Sequence, residues 1–177
     1  CASEPTNQAH QRELSIALNN VGRVLEKRGD YGGALREFER SRGIRENLCA
    51  SEPTNQAHQR ELSIALENVG RVLENRGDYG GALREFERSR GICENLCASE
   101  PTNQAHQREF YLSLYWVGRT ARKDGQRERA VRELERARDL CRGLVDQGWT
   151  RDGLTSDLAE IERELSLARG SSGPRLA

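Results

Sequence analysis

The sequence repeats itself every 48 residues, and no other property restricts its possible folds as much. CASEPTNQAHQREL begins at Cys1 and again at Cys49, and returns at Cys97 as CASEPTNQAHQREF. Between residues 1–48 and 49–96 only three positions differ: Asn19 becomes Glu67, Lys27 becomes Asn75, and Arg45 becomes Cys93. The third copy, 97–144, keeps the opening stretch and then drifts. Self-similarity at such a period marks supersecondary units that cannot bury an apolar face alone and do so by stacking on neighbours. The expected organisation is therefore three repeats (1–48, 49–96 and 97–144), a capping helix within 145–169, and a disordered tail at 170–177.

Helical periodicity fills each repeat. In the first, Leu14, Ala17, Leu18, Val21, Val24 and Leu25 recur at steps of three and four, predicting a helix from Gln8 to about Arg28 with one apolar stripe. Ser3 to Thr6 reads as a loop, with Thr6 or Asn7 able to cap the helix through a side-chain oxygen. Gly29 ends the helix, and Asp30 is placed to cap a second one from Tyr31 to about Cys49, whose stripe is Tyr31, Ala34, Leu35, Phe38, Ile44 and Leu48. A turn this tight makes each repeat an antiparallel helical hairpin. The second copy predicts Gln56–Arg76 and Tyr79–Cys97, and the third Gln104–Lys123 and Gln126–Leu144. A last helix, about Ser156 to Arg169, sets Leu158 where Leu14, Leu62 and Phe110 stand and turns acids outward, as a terminal cap requires.

Charged residues make up 32% of the chain with the two signs equal, and aromatics only 5%. That balance suits thin aliphatic cores between wet helix faces, and it removes a global argument for nucleic acid or a membrane surface. Five cysteines with no signal peptide or long apolar run read as thiols in a reducing, cytoplasmic compartment. The absence of Met and the start at a repeat boundary read as a piece of a longer chain.

The repeat resembles the tetratricopeptide repeat. In its first helix Leu18, Val21-Gly22 and Leu25 stand where that family keeps a large residue, a Leu-Gly-like pair and another large residue. Leu66, Val69-Gly70 and Leu73 repeat the pattern, as do Leu114, Val117-Gly118 and Ala121. In the second helix Ala34, Phe38 and Ser41, then Ala82, Phe86 and Ser89, then Ala130, Leu134 and Ala137 match the small–aromatic–small pattern. The family's usual repeat has about 34 residues. The additional ones extend both helices around CASEPTNQ, as in long-helix bacterial arrays. The resemblance implies an all-α fold: a right-handed α-solenoid of three antiparallel hairpins plus a C-terminal capping helix.

It also implies a non-catalytic scaffold that binds a peptide or protein segment in a concave groove lined by first helices. The non-core stripe there carries Arg12, Ile16, Asn20, Arg23 and Lys27 in the first copy. The second carries Arg60, Ile64, Asn68, Arg71 and Asn75, and the third Arg108, Leu112, Trp116, Arg119 and Lys123. Asn20 and Asn68 precede the Val-Gly pair, where the family often holds a peptide backbone through an amide. The arginines suit an acidic or carboxylate-bearing partner. Tyr115 and Trp116 offer an apolar anchor in place of the amide. Two other roles remain open: a self-association module in which near-identical repeats of different chains stack into a homo-oligomer, and the sensor segment of a larger signalling protein.

The recurring His10, His58 and His106 read as capping or packing residues, because each stands alone among Gln and Arg. Cys93 and Cys97 lack a second pair for a metal. The arginines from Arg127 to Arg142 alternate with acids, as on a solvated face. No catalytic grouping, metal or cofactor is expected, and the partner is a protein rather than nucleic acid or membrane.

Overall fold

A computed structural model describes residues 5–149 and 153–170. Seven helices follow one another, with no strand among the described residues: α1 Pro5–Lys27, α2 Tyr31–Ser51, α3 Gln56–Asn75, α4 Tyr79–Ser99, α5 Gln104–Lys123, α6 Arg127–Asp146 and α7 Leu154–Arg169. The expected tail from residue 171 onward lies outside the described residues. The chain divides into two compact units, Cys1–Ile92 and Cys93–Ala177, and the division falls inside α4.

Local chemistry sets the helix ends. At each hairpin turn a glycine with positive φ closes the first helix (Gly29 +80°, Gly77 +80°, Gly125 +79°), a region costly for residues with a Cβ. The Asp30 carboxylate then accepts the Gly33 amide at 2.8 Å, and Asp78 does the same for Gly81. This carboxylate would lie 2.3 Å from a Cβ on either glycine, so a side chain there would turn the Asp aside by a small shift. The third repeat carries Gln126 and Arg129 at these two places, and there α6 has no side-chain cap.

The corner between repeats is as compact. The Asn55 side chain accepts from the Ala57 and His58 amides and donates to Glu52, and Asn103 repeats the set with Ala105, His106 and Glu100. Of the two candidate caps in the recurring stretch, the asparagine takes the role. In α1 the helix runs back to Pro5, three residues earlier than expected. Proline suits a first turn because its missing N–H would have no partner there.

In the first unit α2 packs against both α1 and α3. Ala34, Phe38, Val69 and Val72 form its centre, with Leu25, Tyr31, Leu35 and Leu73 around them. Phe38 lies against Gly22 and Phe86 against Gly70, each ring so close that a Cβ on the glycine would stand 2.7 Å away. In the second unit α6 packs between α5 and α7, and Leu134 approaches Gly118 in the same way.

The same apolar stripe is placed differently in the first two copies. Leu14, Val21 and Val24 are 48–49% exposed, whereas their duplicates Leu62, Val69 and Val72 are 9%, 1% and 0% exposed. Both stripes have the same sequence. The α3 stripe lies on the α2 side of the first unit, and nothing described here covers the α1 stripe.

Candidate functional site

The first-helix stripe in the first unit is an ionic surface with aliphatic steps. Arg12 donates through Nε and Nη2 to Glu61 Oε1 at 2.8 and 2.5 Å, while Arg45 takes the other oxygen of the same carboxylate. Arg45 is 3% exposed; burial, then the nearby Arg12 charge, lowers its pKa from the ordinary guanidinium value. Arg23 reaches back to Asn20 Oδ1 at 2.6 Å, and Arg71 bonds Glu26 at 2.9 Å. Lys27 and Arg60 are exposed. Ile16 and Ile64 are large aliphatic side chains 45% and 42% exposed on this stripe.

The two asparagines, identical in sequence context, have different settings. Asn20 is exposed, whereas Asn68 is buried. The α3 amide is therefore withdrawn from the surface that its α1 counterpart occupies.

In the second unit the stripe on α5 meets acids from α7. Arg108 and Tyr111 both donate to Asp157 Oδ2 at 2.7 Å. The pairs Arg12–Glu61 and Arg108–Asp157 have the same 49-residue separation, so α7 stands to α5 as α3 stands to α1. Burial, reinforced by the bond to Asp157, raises the Tyr111 pKa. Tyr115 is also buried and donates to Glu160 at 3.1 Å. The Glu160 carboxyl is held below its usual range, chiefly by its hydrogen bond from Arg163. Trp116 is half-buried, lies edge-on to Tyr115 at 5.2 Å, and carries the Arg119 guanidinium 5.1 Å over its ring. Lys123 is half-buried at the end of the helix.

The partners Glu61, Asp157, Arg45 and Tyr111 were missed by sequence reasoning. Only the constant 49-residue offset between Arg and acid could have pointed to the first two. His58 and His106 stand with Nδ1 3.9 and 3.8 Å from Glu52 and Glu100, half-buried and buried at the corners, while His10 is exposed. Cys93 and Cys141 are buried, Cys49 and Cys97 are half-buried, and all four are free thiols. Among the described residues no three His, Cys, Asp or Glu are placed to hold a metal ion.

The family model for the tetratricopeptide repeat matches residues 16–53, from the middle of α1 to the first corner. The repeat is a tetratricopeptide repeat. Because residues 49–96 differ from 1–48 at only three positions, the second copy shares every tetratricopeptide feature of the first. A solved structure, the N-terminal domain of stress-induced protein-1 (STI-1) from C. elegans, has a similar fold. Its TM-score is 0.51 at 12% identity, over 86% of this chain and 97% of that one. No curated protein sequence matches the chain. An all-α array of tetratricopeptide hairpins is a surface for holding other proteins, and no described helix is long and apolar enough to cross a membrane.

Proposed function

We propose that the chain captures an extended, acidic protein segment along the outward stripes of its first helices. In the first unit Arg12, Asn20, Arg23, Lys27, Arg60 and Arg71 supply donors, and Asn68 supports the stripe from beneath. In the second Arg108, Arg119 and Lys123 supply charge, and Tyr115 and Trp116 form the anchor. The observation that carries this reading is the exposure of Ile16 and Ile64 on a stripe otherwise built of arginine, lysine and asparagine. An aliphatic step among guanidinium groups suits a segment that alternates acidic and apolar side chains. Guanidinium groups bind carboxylates in a planar fork, and an aromatic face carrying a stacked arginine takes an apolar side chain. Free thiols throughout the described residues suit a reducing, cytoplasmic setting.

Fluorescence anisotropy with labelled peptides tests this. A peptide alternating Glu with Leu should bind, and its Lys counterpart should not. Arg60→Ala and Trp116→Ala should each weaken binding about tenfold, roughly 1.4 kcal/mol. Equal binding of the acidic and basic peptides, or indifference to both substitutions, refutes the proposal.

A further inference from the structure

Cys93 and Cys97 form a pair that the proposed groove does not use. They stand four residues apart in α4, so their side chains leave the same face of the helix one turn apart. Both are thiols, with Cys93 1% exposed and Cys97 half-buried. At the two matching positions the first copy has Arg45 and Cys49, and the third has Cys141 and Val145. Each thiol therefore recurs singly elsewhere, and the second copy alone sets the two together. The change from Arg45 to Cys93, one of only three between the first two copies, completes the pair.

The spacing is too wide for a disulfide and suits an ion. On one helix turn two Cβ atoms lie about 5–6 Å apart, whereas a disulfide needs about 3.5–4.5 Å, so an intact α4 keeps both sulfurs reduced. An ion held in line between two thiolates, with metal–sulfur bonds of about 2.3 Å, needs sulfurs about 4.6 Å apart. Rotation about χ1 brings two Sγ atoms to that distance from Cβ atoms so placed. A tetrahedral ion would need further ligands, and among the described residues no three His, Cys, Asp or Glu are grouped to supply them. A linear ion needs none. A cavity of about 190 Å³, lined by Cys97 together with Gln107, Asp139, Gly143 and Leu144, lets an ion reach the sulfur.

We propose that Cys93 and Cys97 bind one copper(I) ion, a soft monovalent cation that takes two thiolates in line. Soft sulfur ligands select such an ion over the hard cations that prefer oxygen. On binding, two S–H bonds break, two sulfur–copper bonds form and two protons leave to solvent, with no change of oxidation state. The bound ion ties Cys93 to Cys97 across the end of α4, beside the corner that Glu100 and Asn103 build.

Anaerobic titration of the reduced, intact chain with Cu⁺ against the coloured chelator bathocuproine disulfonate tests this. The chain should retain about one Cu⁺ per molecule against the chelator, and X-ray absorption should show two sulfur neighbours. Cys93→Ala or Cys97→Ala should each lower the affinity about a hundredfold or more, because a single thiolate cannot chelate. Replacing Cys1, Cys49 and Cys141 together by Ala should leave the copper in place. Cys97 is half-buried, so Cys97→Ala should keep the helical circular dichroism and decides the outcome even if Cys93→Ala loses it. The proposal is overturned if the unaltered chain yields all its copper to an equimolar chelator, if Cys97→Ala retains it, or if the triple replacement releases it. Three sulfur neighbours, which would draw in a thiol from elsewhere, overturn it equally.

Discussion

Replacing Gly70 by Ala tests a close contact between a helix backbone and a ring in the first unit. An added Cβ would stand 2.7 Å from Phe86 Cε1 and 2.9 Å from both Cδ1 and Cζ, and Phe86 is fully buried. Contacts this short force the ring or the helices apart by several tenths of an ångström. Overpacking of this kind costs about 1–3 kcal/mol, while Ala in a helix interior recovers about 1 kcal/mol relative to Gly. The net is a destabilisation of about 1 kcal/mol, up to about 2. Gly43 is the control: it lies inside α2 with nothing within 4 Å of the would-be Cβ. Gly43→Ala should keep only the helix gain, about 1 kcal/mol. At roughly 2–4 °C per kcal/mol for a chain of this size, the two substitutions should move the melting temperature in opposite directions. Thermal unfolding by circular dichroism reads the difference. A double-mutant cycle with Phe86→Ala should return a coupling of about 1 kcal/mol, because the second change removes the ring that the first one strikes. If Gly70→Ala raises the melting temperature as much as Gly43→Ala does, the packing argument is wrong.

The remaining predictions concern caps, ions and thiols. In the third repeat, Gln126→Asp should supply the side-chain cap that α6 lacks. The gain would be about 1 kcal/mol by chemical denaturation. Glu61→Ala leaves the buried Arg45 beside Arg12 with their shared carboxylate gone, and should cost on the order of 3 kcal/mol. Arg45→Cys, which copies the second repeat, leaves Glu61 bonded to Arg12 and should cost clearly less. Burial pushes the Cys141 thiol from its usual 9.0 up to about 11. Above pH 9 the unfolded chain therefore loses this proton first. Stability present below pH 9 should decline as pH rises toward 11, and Cys141→Ala should flatten that decline in denaturant titrations. Alkylation at pH 8 should spare Cys141 until the chain unfolds.

The helices were legible because their determinants are local. Apolar steps of three and four, a glycine tolerating positive φ and an Asp or Asn able to cap act within a few residues, whatever lies beyond. Hence α5 has the expected bounds, Gln104–Lys123, and the other helices differ by a few residues at their ends. The candidate site was less legible. Arg12, Arg71 and Arg108 could be seen as a recurring basic stripe, but their carboxylates lie 45–49 residues away on other helices. No short-range pattern connects an arginine to an acid at that distance.

The sequence alone determined that this chain is a helical hairpin repeated and where each turn falls. Only the tertiary structure decided which copy of an identical stripe is buried. Leu14, Val21 and Val24 hold the same places in α1 as Leu62, Val69 and Val72 hold in α3, yet only the α3 set is covered among the described residues. The same holds for the amides, with Asn20 in solvent and Asn68 enclosed. Burial depends on what a helix packs against, and in a tandem array that is supplied by a different repeat.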